Sequence, residues 1–172
     1  MIKISQGAEA VIYQDAATII KERLRKAYRI PQLDNSLRQF RTRREAKILQ
    51  KLEDLHFPAP HLKDFSDKRM SLVMDFIPGE KLKDVLGVED NHDLLAKEIG
   101  TKVGLLHAQN IIHGDLTTSN MIWDGKRLWV LEIETLPSML ADSAFAQMTQ
   151  AAGVSFPDLL SHLIQSASPK LA

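Results

Sequence analysis

The 172-residue chain contains no cysteine. Disulfides and thiolate metal sites are therefore excluded, and the composition fits a reducing compartment. The sequence also lacks an apolar run long enough to cross a bilayer, and its first thirteen residues do not contain the apolar core of a signal peptide. We therefore expect a cytoplasmic protein without a membrane span.

Net charge is absent as well, because 22 Lys and Arg residues balance 22 Asp and Glu residues. The balance conceals an asymmetry between segments. Residues 21–47 hold ten basic and three acidic side chains, whereas residues 132–172 hold four acids and one lysine. The basic segment suits an anionic partner such as a nucleotide, a nucleic acid or an acidic protein surface, and a solvated helix face is the alternative.

Hydrophobic residues make up 44% of the chain, enough to bury a core in one domain or in two small lobes with a cleft between them. Turn and capping signals divide the chain into strands and helices. The predicted elements are strands around a turn at 14–17, a helix from caps at 35–36 to about 55, a strand at 70–77, a helix at 92–109, a loop at 111–122, a strand at 128–133, and helical stretches at 145–150 and 158–165. The predicted inner face of the first helix comprises Leu37, Phe40, Ile48, Leu49 and Leu52.

The segment from Ile111 to Asn120 is rich in polar residues but lies between two apolar stretches. Asp115 is placed to orient an attacking hydroxyl or accept its proton, and Asn120 offers a neutral oxygen to magnesium. The pattern His113-Gly114-Asp115-Leu116, then three residues and Asn120, matches the protein-kinase catalytic loop with glycine in place of arginine. We therefore predict a phosphoryl-transfer centre here.

A second pair of residues fits the same chemistry. Lys21 follows the apolar strand residues 18–20, where its ammonium can reach nucleotide phosphates. Glu45 shares a helical face with Ile48, Leu49 and Leu52, and a carboxylate on that side of a helix needs a cation. We predict that Lys21 and Glu45 pair.

Two further segments are candidates for nucleotide contact. The candidate phosphate-covering loop lies next to a predicted strand and comprises Gly7, Ala8, Glu9 and Ala10. Because it contains only one glycine, a plain turn is the alternative. A candidate hinge, whose backbone groups would contact adenine, comprises Met74, Asp75, Phe76 and Ile77. The alternative is that these residues are simply part of a buried strand.

These motifs together resemble the atypical serine/threonine kinase family of the KEOPS complex, which acts with the threonylcarbamoyl-adenosine tRNA-modifying enzyme. The resemblance extends from about Ile2 to Trp129. It is carried by the catalytic stretch His113 to Asn120 and by shorter matches at residues 7–10, 20–23, 28–34 and 41–46.

The resemblance implies an α+β, minimal two-lobed protein-kinase-like fold. Residues 1–77 would form a small β-rich N-lobe, and residues 78–172 a reduced, mainly helical C-lobe with a catalytic loop at 111–122 and a divergent tail at 130–172. It further implies ATP and Mg²⁺ as cofactors, ATPase or serine/threonine kinase activity, and support of N6-threonylcarbamoylation of adenosine 37 in tRNA. The implied partners are the catalytic transferase subunit and a small subunit on the N-lobe. The charge of residues 21–47 makes that segment a candidate tRNA-facing surface. By position, Lys21 and Glu45 orient phosphate, Asp115 is the catalytic aspartate and Asn120 is a metal ligand.

The sequence departs from the family at the expected Asp-Phe-Gly motif, where it has Glu132-Ile133-Glu134. Glu132 is the candidate second metal ligand, with a side chain one methylene longer than aspartate, and magnesium requires tight octahedral geometry. Two alternatives to an active kinase/ATPase remain. One is a non-catalytic subunit that binds its partner and tRNA, and the other is a small-molecule phosphotransferase of the aminoglycoside-kinase type.

Overall fold

The computed structural model of the protein describes residues 1–86, 92–133 and 144–167. The chain divides into two compact units, Met1–Ile133 and Glu134–Ala172. Within the described part of the chain, no helix is both long enough and apolar enough to span a membrane.

The first unit begins with a five-stranded antiparallel sheet. Its strands are β1 (Ile2–Gln6), β2 (Ala10–Asp15), β3 (Thr18–Arg23), β4 (Leu62–Ser66) and β5 (Ser71–Asp75), in the order β1-β2-β3-β5-β4. The predicted turn between β2 and β3 is present, with Ala16 at a φ of 51°. Strands β1 and β4 were not predicted. Every residue of β1 is exposed, so its sequence carries no buried face to indicate a strand.

Helix α1 (Pro31–Asp54) packs against this sheet and begins earlier than the caps at 35–36 predict. Proline suits the first turn of a helix because its fixed φ is helical and its missing N–H would have no partner there. The inner face also differs from the prediction, since Phe40 is 49% exposed. The buried side chains of α1 are Asp34, Thr42, Glu45, Ala46, Leu49 and Leu52. Leu49 and Leu52 are buried as predicted, whereas the polar residues Asp34 and Thr42 occupy buried positions that apolar spacing does not indicate.

A smaller antiparallel sheet follows in the order β6-β7-β8. It comprises β6 (Glu80–Lys81), β7 (Met121–Trp123) and β8 (Leu128–Val130), with helices α2 (Leu82–Val85) and α3 (His92–Ala108) and a 3-10 turn at Thr118–Asn120. A core cluster of Leu82, Val85, Leu95, Met121, Trp123 and Leu128 joins these elements. The predicted loop at 111–122 therefore ends at Asn120, and the predicted strand at 128–133 ends at Val130. The predicted lobe boundary at residue 77 lies between the two sheets and stays a prediction.

The turn between β7 and β8 is closed by Asp124. Its Oδ2 accepts a hydrogen bond from the Trp129 indole at 2.6 Å, and its Oδ1 accepts from the backbone N–H groups of Lys126 and Arg127, both at 2.8 Å. These donors, the indole first, lower the pKa of Asp124 to about 2. The turn thus fixes β8, which leads to Glu132.

The second unit contains α4 (Ala144–Ala151) and α5 (Phe156–Ala167), which include the helical stretches predicted at 145–150 and 158–165. Gly153, at a φ of 80°, lies in the connection. Ser155 caps α5 by accepting a hydrogen bond from the Asp158 N–H at 3.3 Å.

Candidate functional site

A cavity of about 250 Å³ lies within the first unit, between the two sheets. Its apolar lining includes Ile4, Ile12, Ile19, Pro60, Met74, Ile77, Ile122 and Leu131. Its polar and charged lining comprises Ser5, Lys21, Glu45, Asp75, Lys81, Ser119, Asn120 and Glu132. A largely apolar cleft with a few convergent polar groups is typical of a small-molecule site.

Lys21 is the central charge of the cavity. Strand β3 turns its side chain toward α1, where its Nζ lies 2.7 Å from Oε1 of Glu45. The predicted pair is therefore present. The same Nζ lies 2.6 Å from Oε1 of Glu132, so one ammonium pairs with two carboxylates.

The charges of this cluster fix one another's protonation states. Burial alone would lower the pKa of Lys21, but the carboxylates of Glu45 and Glu132 outweigh it, and the net shift is upward. For Glu132, burial opposes the charged form, whereas the charge and hydrogen bond of Lys21 favour it, and its pKa is lowered. Lys21 and Glu132 are therefore both ionised at neutral pH.

The loop that follows α3 places Asp115 next to Asn120. The Asn120 amide donates to Oδ2 of Asp115 and to its backbone carbonyl, each at 3.0 Å. Asn120 lines the cavity, whereas Asp115 is an exposed residue outside the lining. The structure thus brings the two predicted residues together at the edge of the cavity.

His113 supports this loop from inside. Its Nδ1 accepts a hydrogen bond from the backbone N–H of Asp115 at 3.3 Å, and its Nε2 is buried without a hydrogen-bond partner among the described residues. Burial lowers the pKa of His113 more than the neighbouring carboxylates of Asp115 and Glu132 raise it. The imidazole is therefore neutral at pH 7, with the proton on Nε2.

The candidate phosphate-covering loop at residues 7–10 lies outside the cavity lining, which on this side consists of Ile4 and Ser5. A hydrogen bond from the Gly7 N–H to the Ala10 carbonyl, at 2.9 Å, makes the loop a tight turn. Glu9 forms ion pairs with Arg41 at 3.0 Å and with Arg29 at 3.5 Å. The loop is thus attached to α1.

The candidate hinge lines the cavity along its whole length, Met74 to Ile77. Two of its N–H groups already have acceptors, since Asp75 donates to the His61 carbonyl at 3.1 Å and Phe76 to the Ala17 carbonyl at 2.9 Å. In the described part of the chain, the Ile77 N–H has no acceptor. It is therefore a hinge donor available to a ligand.

The sequence interpretation missed Arg23. Its Nη2 lies 2.5 Å from Oε2 of Glu45, and the residue is 6% exposed. Strand alternation could have indicated it, because Arg23 is two residues from Lys21 and so points to the same face of β3. Glu45 therefore lies between two cations rather than beside one.

Ion pairs also occupy much of the basic segment 21–47. Six of its ten basic side chains pair with acids: Lys21, Arg23, Arg29, Arg38, Arg41 and Arg43. The other four, Arg25, Lys26, Arg44 and Lys47, have no ion-pair partner within residues 1–86, 92–133 and 144–167. Fewer basic side chains are therefore available to an anionic partner than the ten that the sequence indicates.

The predicted metal ligands are Asn120 and Glu132, and both line the cavity. Their side chains supply the oxygen donors that magnesium prefers. Over the described ranges, no three His, Cys, Asp or Glu side chains cluster closely enough to hold a metal by themselves. The residues fit magnesium in donor type, provided that the ligand supplies further oxygens and Glu132 shares its carboxylate with Lys21.

Comparison with known proteins gives consistent matches. The RIO domain family matches residues 1–139. A second match, to the D-ala D-ala ligase C-terminus, covers only residues 115–165. Two solved structures, the apo form of PpkA and the bifunctional kinase-methyltransferase WbdD, superpose with TM-scores of 0.57 and 0.59 at 13% and 17% identity. They cover 77% and 88% of this chain, and the chain covers 57% and 34% of theirs. These likenesses show a protein-kinase-like fold.

Three curated relatives are more similar in sequence. The EKC/KEOPS complex subunit BUD32 of Encephalitozoon cuniculi is 46% identical, covering 74% of this chain and 63% of the relative. That of Enterocytozoon bieneusi is 40% identical, covering 73% and 68%. A probable bifunctional tRNA threonylcarbamoyladenosine biosynthesis protein of Methanocaldococcus jannaschii is 44% identical, covering 75% and 24%. The chain thus spans 63% of the length of the Encephalitozoon relative. It belongs to the RIO domain family and to the family of the KEOPS complex subunit Bud32.

Proposed function

We propose that this protein binds ATP in the cavity and acts as the kinase/ATPase subunit of a KEOPS-type complex, supporting N6-threonylcarbamoylation of adenosine 37 in tRNA. One observation carries the proposal. The cavity that contains the buried Lys21–Glu45 pair is also lined by Asn120 and Glu132, and Asn120 holds Asp115 at its edge. These are the groups that phosphoryl transfer requires.

Binding of the nucleotide follows from the lining. The apolar side chains accommodate the adenine ring, and the Ile77 N–H donates to its edge. Lys21 supplies a cation for the phosphates, and Glu45 keeps its ammonium pointing into the cavity. Glu132 is paired with that ammonium, so phosphate must share or displace this carboxylate.

Asp115 is the proposed catalytic residue. Its carboxylate orients the attacking hydroxyl or water and accepts its proton. The Asn120 amide fixes Oδ2, and His113 holds the backbone N–H, so the loop keeps the carboxylate in one orientation. Asn120 and Glu132 would hold magnesium, which when bound neutralises charge on the phosphates.

The test is magnesium-dependent ATP hydrolysis, measured with and without the transferase subunit. Asp115→Ala is expected to lower turnover at least about a hundredfold, because it removes the general base, while ATP binding changes little. Asp93→Ala, the same change at an exposed residue in the first turn of α3, is the control. Turnover unchanged in Asp115→Ala would contradict the assignment.

The second candidate is a non-catalytic subunit that binds its partner and tRNA without turnover. It is favoured by the pairing of Glu132 with Lys21 at 2.6 Å, which engages the one carboxylate available at the position of the family's metal-binding aspartate. For this candidate, wild type and Asp115→Ala would both lack turnover and would bind the transferase equally well.

The proposed partners follow from the family. They are the threonylcarbamoyltransferase catalytic subunit, a small subunit on residues 1–77, and tRNA at the unpaired basic residues of segment 21–47. Co-purification of the chain with each protein partner, with and without tRNA, tests these assignments separately.

A further inference from the structure

Four charged side chains alternate in sign, three of which line the cavity while Arg23 lies behind Glu45 outside the lining. Arg23 contacts Glu45 at 2.5 Å, Glu45 contacts Lys21 at 2.7 Å, and Lys21 contacts Glu132 at 2.6 Å. The two oxygens of Glu45 are used separately, Oε1 by Lys21 and Oε2 by Arg23. Arg23 therefore holds the carboxylate from the side opposite the lysine.

The sum of these charges decides what an entering phosphate meets. Lys21 alone would face two carboxylates, Glu45 and Glu132, and the cluster would carry one net negative charge that repels phosphate. Arg23 brings the sum to zero. Because the cluster is largely withdrawn from solvent, water screens this difference less than it would at the surface.

Stability alone does not account for a guanidinium at this position. The Nε of Arg23 is buried and has no hydrogen-bond partner among the described residues. Burying an unpaired donor is unfavourable, and an apolar side chain would avoid this cost but would leave Glu45 and Glu132 with Lys21 as their one cation in the cluster. The positive charge is the property of Arg23 that an apolar residue would not supply.

We propose that Arg23 is a positioning residue for the ligand's phosphates. It holds Glu45 through Oε2, and its charge balances the second carboxylate, Glu132. Lys21 can then exchange Glu132 for phosphate, because the cluster that the phosphate meets has no net negative charge. This inference rests on the proposed ATP site. Arg23 acts on the phosphates through Glu45 and Lys21 and does not itself contact the nucleotide.

The test compares ATP with adenosine, which lacks phosphates, by calorimetry on the full chain in magnesium-free buffer. Arg23→Met keeps the length of the side chain and removes its charge. We expect it to weaken ATP binding about tenfold and to leave adenosine binding unchanged. Arg23→Lys keeps the charge and should retain most of the affinity for ATP.

Arg25→Met is the matched control, because it makes the same change at an exposed residue just beyond β3. It should leave both affinities at the wild-type values. Equal weakening of ATP and adenosine in Arg23→Met would assign Arg23 a purely structural role and overturn the inference, as would unchanged ATP binding. Failure of the wild type to bind ATP would instead overturn the proposed function, and this inference with it.

Discussion

At the residue scale, Glu132 has two roles that compete. Its Oε1 lies 2.6 Å from Lys21 Nζ, so it is the counter-ion of the lysine that phosphate should engage. It is also the candidate second ligand for magnesium, with a longer side chain than the family's aspartate. The same carboxylate can therefore oppose nucleotide binding without metal and assist it with metal.

We predict that Glu132→Gln separates these roles. In magnesium-free buffer, removing one negative charge beside Lys21 should raise ATP affinity about tenfold. With magnesium present, turnover should fall because a metal ligand is removed. Calorimetry and phosphate release measure the two effects. Glu22→Gln is the control, because it removes one negative charge from an exposed residue on the same strand as Lys21. Weaker metal-free binding in Glu132→Gln would contradict the counter-ion role.

The pH dependence of stability provides a second prediction for Glu132. Its folded pKa is lowered, so its pairing stabilises the fold above the ordinary value of 4.5, and this contribution is lost as the pH falls through the folded value. Wild type should therefore exceed Glu132→Gln in unfolding free energy at neutral pH, and the difference should shrink in acid. Urea unfolding across this range measures it. A difference that is constant with pH would rule out the ion pair as its source.

At the element scale, strand β6 depends on Gly79. Gly79 has a φ of 148°, and a Cβ there would lie 2.5 Å from the Trp123 carbonyl oxygen and 2.6 Å from a methyl carbon of Ile122. Strands β6 and β7 can therefore pair as observed only if residue 79 lacks a side chain. Ile122 and Lys81, which this pairing positions, both line the cavity.

We predict that Gly79→Ala destabilises the protein by more than about 1 kcal/mol and weakens ATP binding, because β6 must shift away from β7. Gly100→Ala is the control, since a Cβ at Gly100 in α3 would meet nothing within 4 Å. That change should stabilise the protein by about 0.5–1 kcal/mol. Thermal unfolding and nucleotide titration compare the two. Equal stability of the variants would show that β6 tolerates a side chain at residue 79.

The elements also show what the sequence could predict. Asn120 was predicted from motif spacing, Lys21 from its position after an apolar strand, Glu45 from its helical face and Glu132 from the family resemblance. All four line one cavity. Motif residues are predictable because the chemistry restricts both their types and their separation. The start of α1 was predicted wrongly, because Pro31 opens the helix without a side-chain cap at Ile30. The predicted inner face is correct at Leu49, Leu52 and Glu45, which are buried, and wrong at Phe40, which is exposed.

At the scale of the whole molecule, surface charge is less available than composition indicates. Arg43 is paired with Asp67 at 2.6 Å, so its charge is largely compensated. Arg44 lies over the Phe40 ring at 5.8 Å, and Lys47 is exposed one turn further along α1. These two cations, rather than all ten of segment 21–47, are the candidates for contact with RNA phosphates on the outer face of α1.

We predict that reversing the charge at Arg44 and Lys47 together weakens tRNA binding and lowers its salt slope by about two, because two RNA phosphates are no longer neutralised by the protein. Arg43→Gln should have little effect, because Asp67 already neutralises that guanidinium. Filter binding at several salt concentrations measures the slopes. An unchanged slope in the double variant would place the tRNA site elsewhere.

Polar contacts attach helix α1 to the rest of residues 1–133 along its length. Arg38 reaches the Arg23 carbonyl, Arg41 reaches Glu9, Arg43 reaches Asp67, and Glu45 reaches β3. Loosening any single attachment leaves the others in place, so each adds to the free energy of detaching the helix. The interior amide hydrogens of α1 should therefore exchange with solvent through cooperative opening of that unit, and nucleotide should slow them by stabilising it.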